Sequence, residues 1–499
     1  MKITIIGAGP GGYETAVEAA AKGIEVTLVS AGPVGGTCLN EGCIPTKALL
    51  RSAEVFETVK EAASYGVEAG ECALDFAKAM ERKDAVVDQL RSGVEFLLKH
   101  KLITLLRGKA SLCGGEAEGR PAGGETEDRP AGGEVAPGGE AAGKALGKAA
   151  GQAGEAIRAP HKVKVALDEG GEVEVEADYV IIATGSVSAS LPIPGADLPG
   201  VLSSKEVLSL EALPKSVCVI GAGVIGLEMA SMLNSFGCEV SVLEYCPDIL
   251  PRFDTDLAKR LKQSLGKRGI SIETSAQVRS IEAAPEGLVT SYIRKDKECS
   301  VTAEKVLMAV GRRPALGSLN FGEAGIAVTP RGVVVDEYMQ TSVPGIYAIG
   351  DIAGGYMLAH TATAQGRRAL NHILAGCPAS GPVDSIRLDT VPAAVFTRPE
   401  AATVGLTEDE CKIPVKVYKS FFRANGKAVA MGETDGFCKI VAAEEDGRIL
   451  GCHLFGPHSS DIIQEVAALI TRDATVHDLE SIIHAHPTLS EVILSAAKG

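Results

Sequence analysis

Two glycine-rich turns, each set between a buried strand and a helix, restrict this chain more than any other feature. The first is Gly7-Ala8-Gly9-Pro10-Gly11-Gly12. Residues 2–6 before it read as a strand, a helical pattern follows to about Lys22, and 26–29 reads as a second strand. The second is Gly221-Ala222-Gly223-Val224-Ile225-Gly226, between strands at 216–220 and 239–244, with Glu228 opening a helix that runs to about Phe236. In such a unit the glycines let the turn close and let the backbone approach a pyrophosphate at the helix N-terminus. Gly7, Gly9 and Gly12 serve the first unit, and Gly221, Gly223 and Gly226 the second. A lone GxGxxG is weak evidence; two in this setting predict an α/β chain with two Rossmann-like nucleotide-binding domains.

The two units differ where the second strand ends. Glu244 closes the later one. A carboxylate there accepts bonds from a ribose diol and repels a 2′-phosphate, so it favours NAD over NADP. In the first unit Ser30 stands at that point. A serine hydroxyl can still bond a ribose, but the carboxylate contact is missing.

Just after the first unit comes Gly35-Gly36-Thr37-Cys38-Leu39-Asn40-Glu41-Gly42-Cys43-Ile44-Pro45-Thr46-Lys47. Five residues of ideal helix separate two side chains by roughly 7.5 Å along the axis and about 140° around it. A disulfide needs Cα atoms about 4.4–6.8 Å apart. Cys38 and Cys43 can therefore pair only where the backbone leaves regular helix, and Gly42 and Pro45 are placed to make it do so. A strained local disulfide is easily reduced, which predicts a redox switch rather than a staple. The alternative is a pair of small buried hydrophobes; the flanking glycines, Pro45 and Lys47 weigh against it.

Helices are expected at 48–63 and 76–99, and a strand at 103–106. Residues 114–154 are dominated by Gly, Ala, Glu and Pro, and Arg120-Pro121-Ala122-Gly123-Gly124-Glu125 recurs as Arg129-Pro130-Ala131-Gly132-Gly133-Glu134. Such a segment buries too little apolar surface to offset its ordering entropy, so 113–159 is expected to be a disordered insertion. A hairpin at 163–165 and 173–175 and a buried strand at 179–183 follow, then a Pro-rich linker at 191–195. Buried strands end at Gly311 and at Gly350-Asp351; an acid at such a strand end bonds a sugar-like chain or is merely solvated. From about Asp389 the pattern is β-rich, at 393–396, 415–418, 437–441 and 449–454, with helices at 461–471 and 476–483. The tail carries His484-Ala485-His486-Pro487-Thr488-Leu489-Ser490-Glu491. His486 five residues before Glu491 suits a general base whose tautomer the carboxylate fixes. Metal binding by His484 and His486 and an idle surface turn are the competing readings, and no ligand cluster accompanies the histidines, so no metal is assigned.

The formal net charge of −15 argues against nucleic acid and anionic membrane surfaces as partners. No run of 18 apolar residues marks a transmembrane helix. The strand at 2–6 leaves no room for a leader, and twelve cysteines in this length are no secreted framework. A cytoplasmic enzyme is expected.

Taken together, GGTCLNEGCIPTKALL, the two fingerprints with Glu228 and Glu244, Gly350-Asp351 and HAHPTLSE closely resemble the dihydrolipoamide dehydrogenases of the flavin disulfide reductase family, over nearly all the chain except about 113–159. The resemblance implies a homodimer using FAD and NAD to reoxidise dihydrolipoyl groups. The lipoyl domains of 2-oxo acid dehydrogenase complexes, or the glycine cleavage lipoyl protein, would be its partners. It implies an FAD domain at 1–112 and 160–194, an NAD domain at 195–315, a central domain at 316–385 and an α+β dimerisation domain at 386–499. Cys38 would exchange with the lipoyl sulfur and Cys43 would face the flavin. Lys47, paired with Glu228, would lie near flavin N5. Asp351, Ala359 and Gly108 would contact FAD. Thr37, Thr184, Gly185, Val278 and Gly311 complete the cofactor set. His486 and Glu491 would come from the opposite subunit. The family's usual Glu is replaced by Ser30, and the insertion is unusual. Glutathione reductase-like enzymes carry basic residues where Glu244-Tyr245 stands, and mercuric reductase-like ones a C-terminal Cys pair where Ser495-Ala496-Ala497-Lys498-Gly499 stands. A non-catalytic FAD-binding protein would not be expected to keep Cys38, Cys43, His486 and Glu491 together.

Overall fold

The computed structural model describes residues 1–113 and 160–499; nearly all of the expected insertion lies outside them. The chain divides into two compact units. One comprises Met1–Gly36, Gly93–Ser186 and Pro314–Ile386, the other Thr37–Ser92, Val187–Arg313 and Arg387–Gly499.

The first unit is built on a seven-stranded sheet in the order Ile346–Ala348, Tyr179–Ile182, Lys2–Ile6, Glu25–Ser30, Ile103–Leu112, His161–Leu167, Glu172–Ala177. The first five strands run parallel, and the last two turn back as an antiparallel meander. Parallel strands covered on both faces read as continuous apolar runs, and Ile3, Ile5, Val26, Leu28, Val180 and Ile181 are accordingly buried. The helix Pro10–Ala21 starts directly after the first glycine turn, with proline in its first turn, where a missing N–H costs nothing. It packs closely on Ala359–Leu374: a Cβ on Gly366 would sit 1.9 Å from Thr15 Oγ1.

Three sheets of three or more strands lie in the second unit. A parallel one runs Ser271–Glu273, Glu239–Leu243, Ser216–Ile220, Lys305–Met308, Val201–Leu202, and a three-stranded meander covers Gln277–Ala284, Gly287–Arg294 and Lys297–Ala303. The third is antiparallel, in the order Ala393–Val395, Glu400–Gly405, Ile449–Gly456, Phe437–Ala443, Val415–Phe421, packed by the helices Ser459–Thr471 and Glu491–Ala497. The strand Glu400–Gly405 was not expected from sequence. The helix expected to reach 483 ends at Glu480, and the Ser481 hydroxyl donates to the Asp478 carbonyl at 2.6 Å. The helix Cys43–Glu61 packs against Val224–Phe236 through Leu49, Ala53, Leu227 and Ala230, which brings Lys47 to Glu228.

Candidate active site

Within the first unit the glycine turn forms a cradle. Gly7 has φ +112°, and a Cβ there would meet the Ala183 carbonyl oxygen at 2.2 Å. A Cβ on Gly12 would meet the Gly7 carbonyl oxygen at 1.8 Å, while Gly9 faces open space. The later turn repeats this: Gly221 (φ +106°) stands over the Ala309 carbonyl, Gly226 over the Gly221 carbonyl, and Gly223 faces open space. In both, the outer glycines are demanded by packing and the middle one leaves room for a pyrophosphate at a helix N-terminus. Thr184 Oγ1 and Thr361 Oγ1 in the first unit are buried without a hydrogen-bond partner, as groups awaiting a polar ligand are. Asp351 opens the short turn after Ile346–Ala348 and accepts from Ser186 Oγ at 2.5 Å. Ala359 heads the helix 359–374, and Gly185 follows Thr184 with φ +73°. These residues fit a dinucleotide. Gly108 has a packing reason of its own, since its Cβ would meet the Ala166 carbonyl at 2.2 Å where the strand bends into the meander.

Within the first unit Gly35 donates to the Ala8 carbonyl at 2.7 Å. Helix Gly36–Glu41 carries Thr37 and Cys38, Gly42 breaks it (φ −145°, ψ −111°), and Cys43 starts the next helix. The expected departure from regular helix is therefore at Gly42, while Pro45 sits in the first turn of the new helix, where its missing donor is harmless. Thr46 N–H and Oγ1 both return to the Gly42 carbonyl, at 3.1 and 2.6 Å. Both cysteines are free thiols, and they are unequal. Cys38 donates to Cys43, which drives the Cys38 thiol far above the ordinary cysteine range, with burial and the Cys43 charge adding to it. The same hydrogen bond, helped by the Lys47 charge, lowers Cys43 to about 7. Lys47 Nζ lies 2.8 Å from Glu228 Oε2 and 4.3 Å from the Phe396 ring centroid. The buried Glu228 also accepts from Phe396 N–H at 3.1 Å. Phe396 was not anticipated as part of this group. It is 168 residues from Glu228 in sequence, and no local pattern marks it.

Glu244 follows Glu239–Leu243. Its two oxygens accept from Ala222 N–H at 2.6 Å and Cys246 N–H at 2.7 Å, which fixes the carboxylate beside the second glycine turn, where a ribose diol would be read. Gly311 (φ +111°) faces open space. Val278 lies at a register shift in its strand and packs on the core with Cys218 and Ile281.

His486 Nδ1 is 3.0 Å from Glu491 Oε1, and Glu491 Oε2 accepts from Thr488 N–H at 2.8 Å. That N–H, then the histidine, holds the Glu491 carboxyl below the usual range, so it is ionised at neutral pH. Nδ1–H is thereby fixed as donor, and Nε2 is left as the basic nitrogen. Asn425 braces the turn by donating to the Thr488 carbonyl at 2.9 Å. His484 is otherwise engaged, with Nε2 2.8 Å from Glu465 and Nδ1 3.1 Å from the Ile482 carbonyl. Among the described residues no hydrogen bond or ion pair joins His486 to either cysteine. Among the described residues no group of three or more His, Cys, Asp or Glu is placed to hold a metal, and none of their helices is long and apolar enough to cross a membrane.

The family described as pyridine nucleotide-disulphide oxidoreductase matches residues 1–366, and its dimerisation domain matches 391–497. A dihydrolipoyl dehydrogenase of Bacillus subtilis is 39% identical over 99% of this chain and 97% of its own length. A mitochondrial one of Pisum sativum is 34% identical over 99% and 90%. Among solved structures, LpdA from Mycobacterium tuberculosis superposes with a TM-score of 0.83 at 26% identity, covering 100% of this chain and 99% of the other. A HOCl-induced flavoprotein disulfide reductase from Escherichia coli does so at 0.80 and 27%, covering 100% and 99%. With its two glycine cradles, paired thiols and C-terminal domain, the chain belongs to the pyridine nucleotide-disulphide oxidoreductase family.

Proposed function

We propose that this chain is a dihydrolipoamide dehydrogenase, oxidising protein-bound dihydrolipoyl groups and reducing NAD⁺ by way of the Cys38–Cys43 pair and FAD. The observation that carries this is the placement of the two thiols on either side of the Gly42 break, with Cys43 at the start of the helix Cys43–Glu61 and Lys47 one turn on. Disulfide exchange runs best when the leaving sulfur is a stable thiolate, and Cys43, at the N-terminus of the helix Cys43–Glu61 with the Lys47 charge favouring its ionised form, is that sulfur. In the oxidised pair, a lipoyl thiolate attacks Cys38 Sγ, the Cys38–Cys43 bond breaks, and Cys43 leaves as thiolate. The second lipoyl sulfur then attacks the first, which forms the lipoyl disulfide and frees Cys38. Two electrons pass from the lipoyl group to the pair. His486 of the partner subunit, held as a base by the partner's Glu491, takes the proton of the first attacking thiol, and the proton of the second goes to Cys38 as its sulfur is released. Lys47, anchored by Glu228, favours the thiolate at Cys43. When bound, FAD accepts the pair's electrons and supplies the hydride that reduces NAD⁺.

Gly7, Gly9, Gly12, Ser30, Thr37, Lys47, Gly108, Thr184, Gly185, Asp351 and Ala359 hold FAD. Gly221, Gly223, Gly226, Glu228, Glu244, Val278 and Gly311 serve the NAD side. The segments proposed from the sequence are an FAD domain at 1–112 and 160–194, an NAD domain at 195–315, a central domain at 316–385 and a dimerisation domain at 386–499. The homodimer is supported by the matched dimerisation domain and by Ile483, 97% exposed beside the histidine turn. Twelve free thiols suit a reducing, cytoplasmic setting. Glu244 disfavours a glutathione reductase-like role with NADP.

Cys38→Ser tests the assignment. The purified protein keeps its flavin and loses lipoamide turnover. Retained turnover, or loss of the flavin, overturns it.

A further inference from the structure

The two glycine cradles of this chain are superposable in design and unequal at one point. In each, the first glycine donates to the second strand: Gly7 to the Val29 carbonyl and Gly221 to the Leu243 carbonyl, both at 2.8 Å. Ile6 lies opposite Val29 as Ile220 lies opposite Leu243. Ser30 and Glu244 are therefore the same position in the two units, the place where an acid reads the ribose diol. Glu244 is a carboxylate oriented by two backbone N–H groups. Ser30 is buried and its hydroxyl donates to the Gly32 carbonyl at 2.8 Å, so its proton is spent within its own turn. The register places Arg107 on the adjoining strand beside Ser30, with its guanidinium 3.4 Å from the same Gly32 carbonyl and 3.5 Å from Glu95. The adenosine-ribose end of the first cradle thus offers one committed hydroxyl and a cation, where the second offers a fixed anion.

We infer that Ser30 makes the FAD of this enzyme exchangeable, while the NAD site keeps its full ribose contact. Ribose hydroxyls donate well to a carboxylate and less well to a neutral oxygen, and a hydrogen bond to a charged acceptor is the stronger kind. Losing it weakens binding by about ten- to a hundredfold. The protein then passes between flavin-loaded and flavin-free forms according to the free FAD concentration. Ser30 is the residue that sets that balance.

This rests on assigning the first cradle to FAD. The test uses the purified holoenzyme diluted into buffer, with the fluorescence of released flavin followed over time, for wild type, Ser30→Glu, Ser30→Asp and Glu244→Ser. Either acidic variant should slow flavin release at least tenfold and leave the KM for NAD⁺ unchanged. The shorter Asp variant serves if Glu does not fold. Glu244→Ser should raise the KM for NAD⁺ about tenfold with flavin release unchanged. Folded Glu and Asp variants that release flavin as fast as wild type overturn the inference while leaving the FAD assignment standing. A wild-type protein that takes up no flavin on reconstitution overturns both.

Discussion

Cys38→Ala should shift the Cys43 thiol further than removal of the neighbouring cation does. In the intact pair Cys43 is brought from the ordinary 9.0 to about 7, first by the hydrogen bond from Cys38 and then by the charge of Lys47, against burial and the Glu228 charge. Without the Cys38 donor, burial and the Glu228 charge outweigh Lys47, and the midpoint should return to the ordinary cysteine value or rise above it. Lys47→Gln keeps the hydrogen bond and removes a partly screened charge, so its midpoint should rise by about half a pH unit to one. Glu228→Gln acts in the opposite sense, because its carboxylate disfavours the thiolate, and should lower the midpoint. A one-unit rise cuts the thiolate fraction at pH 7 from about a half to about a tenth. The assay is the rate of iodoacetamide alkylation of the reduced enzyme against pH, with peptide mapping to separate Cys43 from Cys38. Thiolate is the reacting species, so each rate profile reports its midpoint directly. A Lys47→Gln midpoint above that of Cys38→Ala, or a rise in Glu228→Gln, would refute this ordering of the causes.

Other perturbations probe the rest of the site and its support. Mixing Cys38→Ser and His486→Gln dimers and allowing subunits to exchange should restore about a quarter of wild-type turnover, since half the dimers then carry one intact site; no recovery after verified exchange places the base in the same chain as its thiols. Lys439, buried between Asp254 at 2.8 Å, Glu408 at 3.0 Å and Asp256 at 3.3 Å, should not tolerate Met. Leaving the buried Asp254 without its cation costs about 3–5 kcal/mol, read from urea unfolding, and an unchanged midpoint excludes the pair as a support. Lys419 first and Lys439 with it hold the Asp256 carboxyl below its ordinary value. That part of the stability is complete at neutral pH and is lost as pH falls through the depressed value; Lys439→Met should flatten this acid loss.

What sequence revealed and what it hid follow a single physical division. The glycine turns, Cys38 with Cys43, and His486 with Glu491 are short-range patterns, because a turn, a thiol pair and a hydrogen-bonded His–Glu must be built from neighbours. Glu244 was readable for the same reason: strand and glycine turn fix its place. Lys47 needed help. Its partner Glu228 is 181 residues away, and the Phe396 backbone and ring that complete the group come from a third segment. The strand Glu400–Gly405 starts directly after Pro399 and is rich in small residues, so its pairing with Ile449–Gly456 decides what its composition does not. Ile482 and Ile483 extend the apolar pattern of the preceding helix, yet the helix has ended and Ile483 stands exposed. Ser30 was visible as a departure, but its bond to Gly32 was not.

A two-arm assay on one preparation tests the substrate pair most directly. With dihydrolipoamide and NAD⁺ the purified flavoprotein should form NADH, and with glutathione disulfide and NADPH it should show no turnover. Activity confined to the second pair would contradict the account.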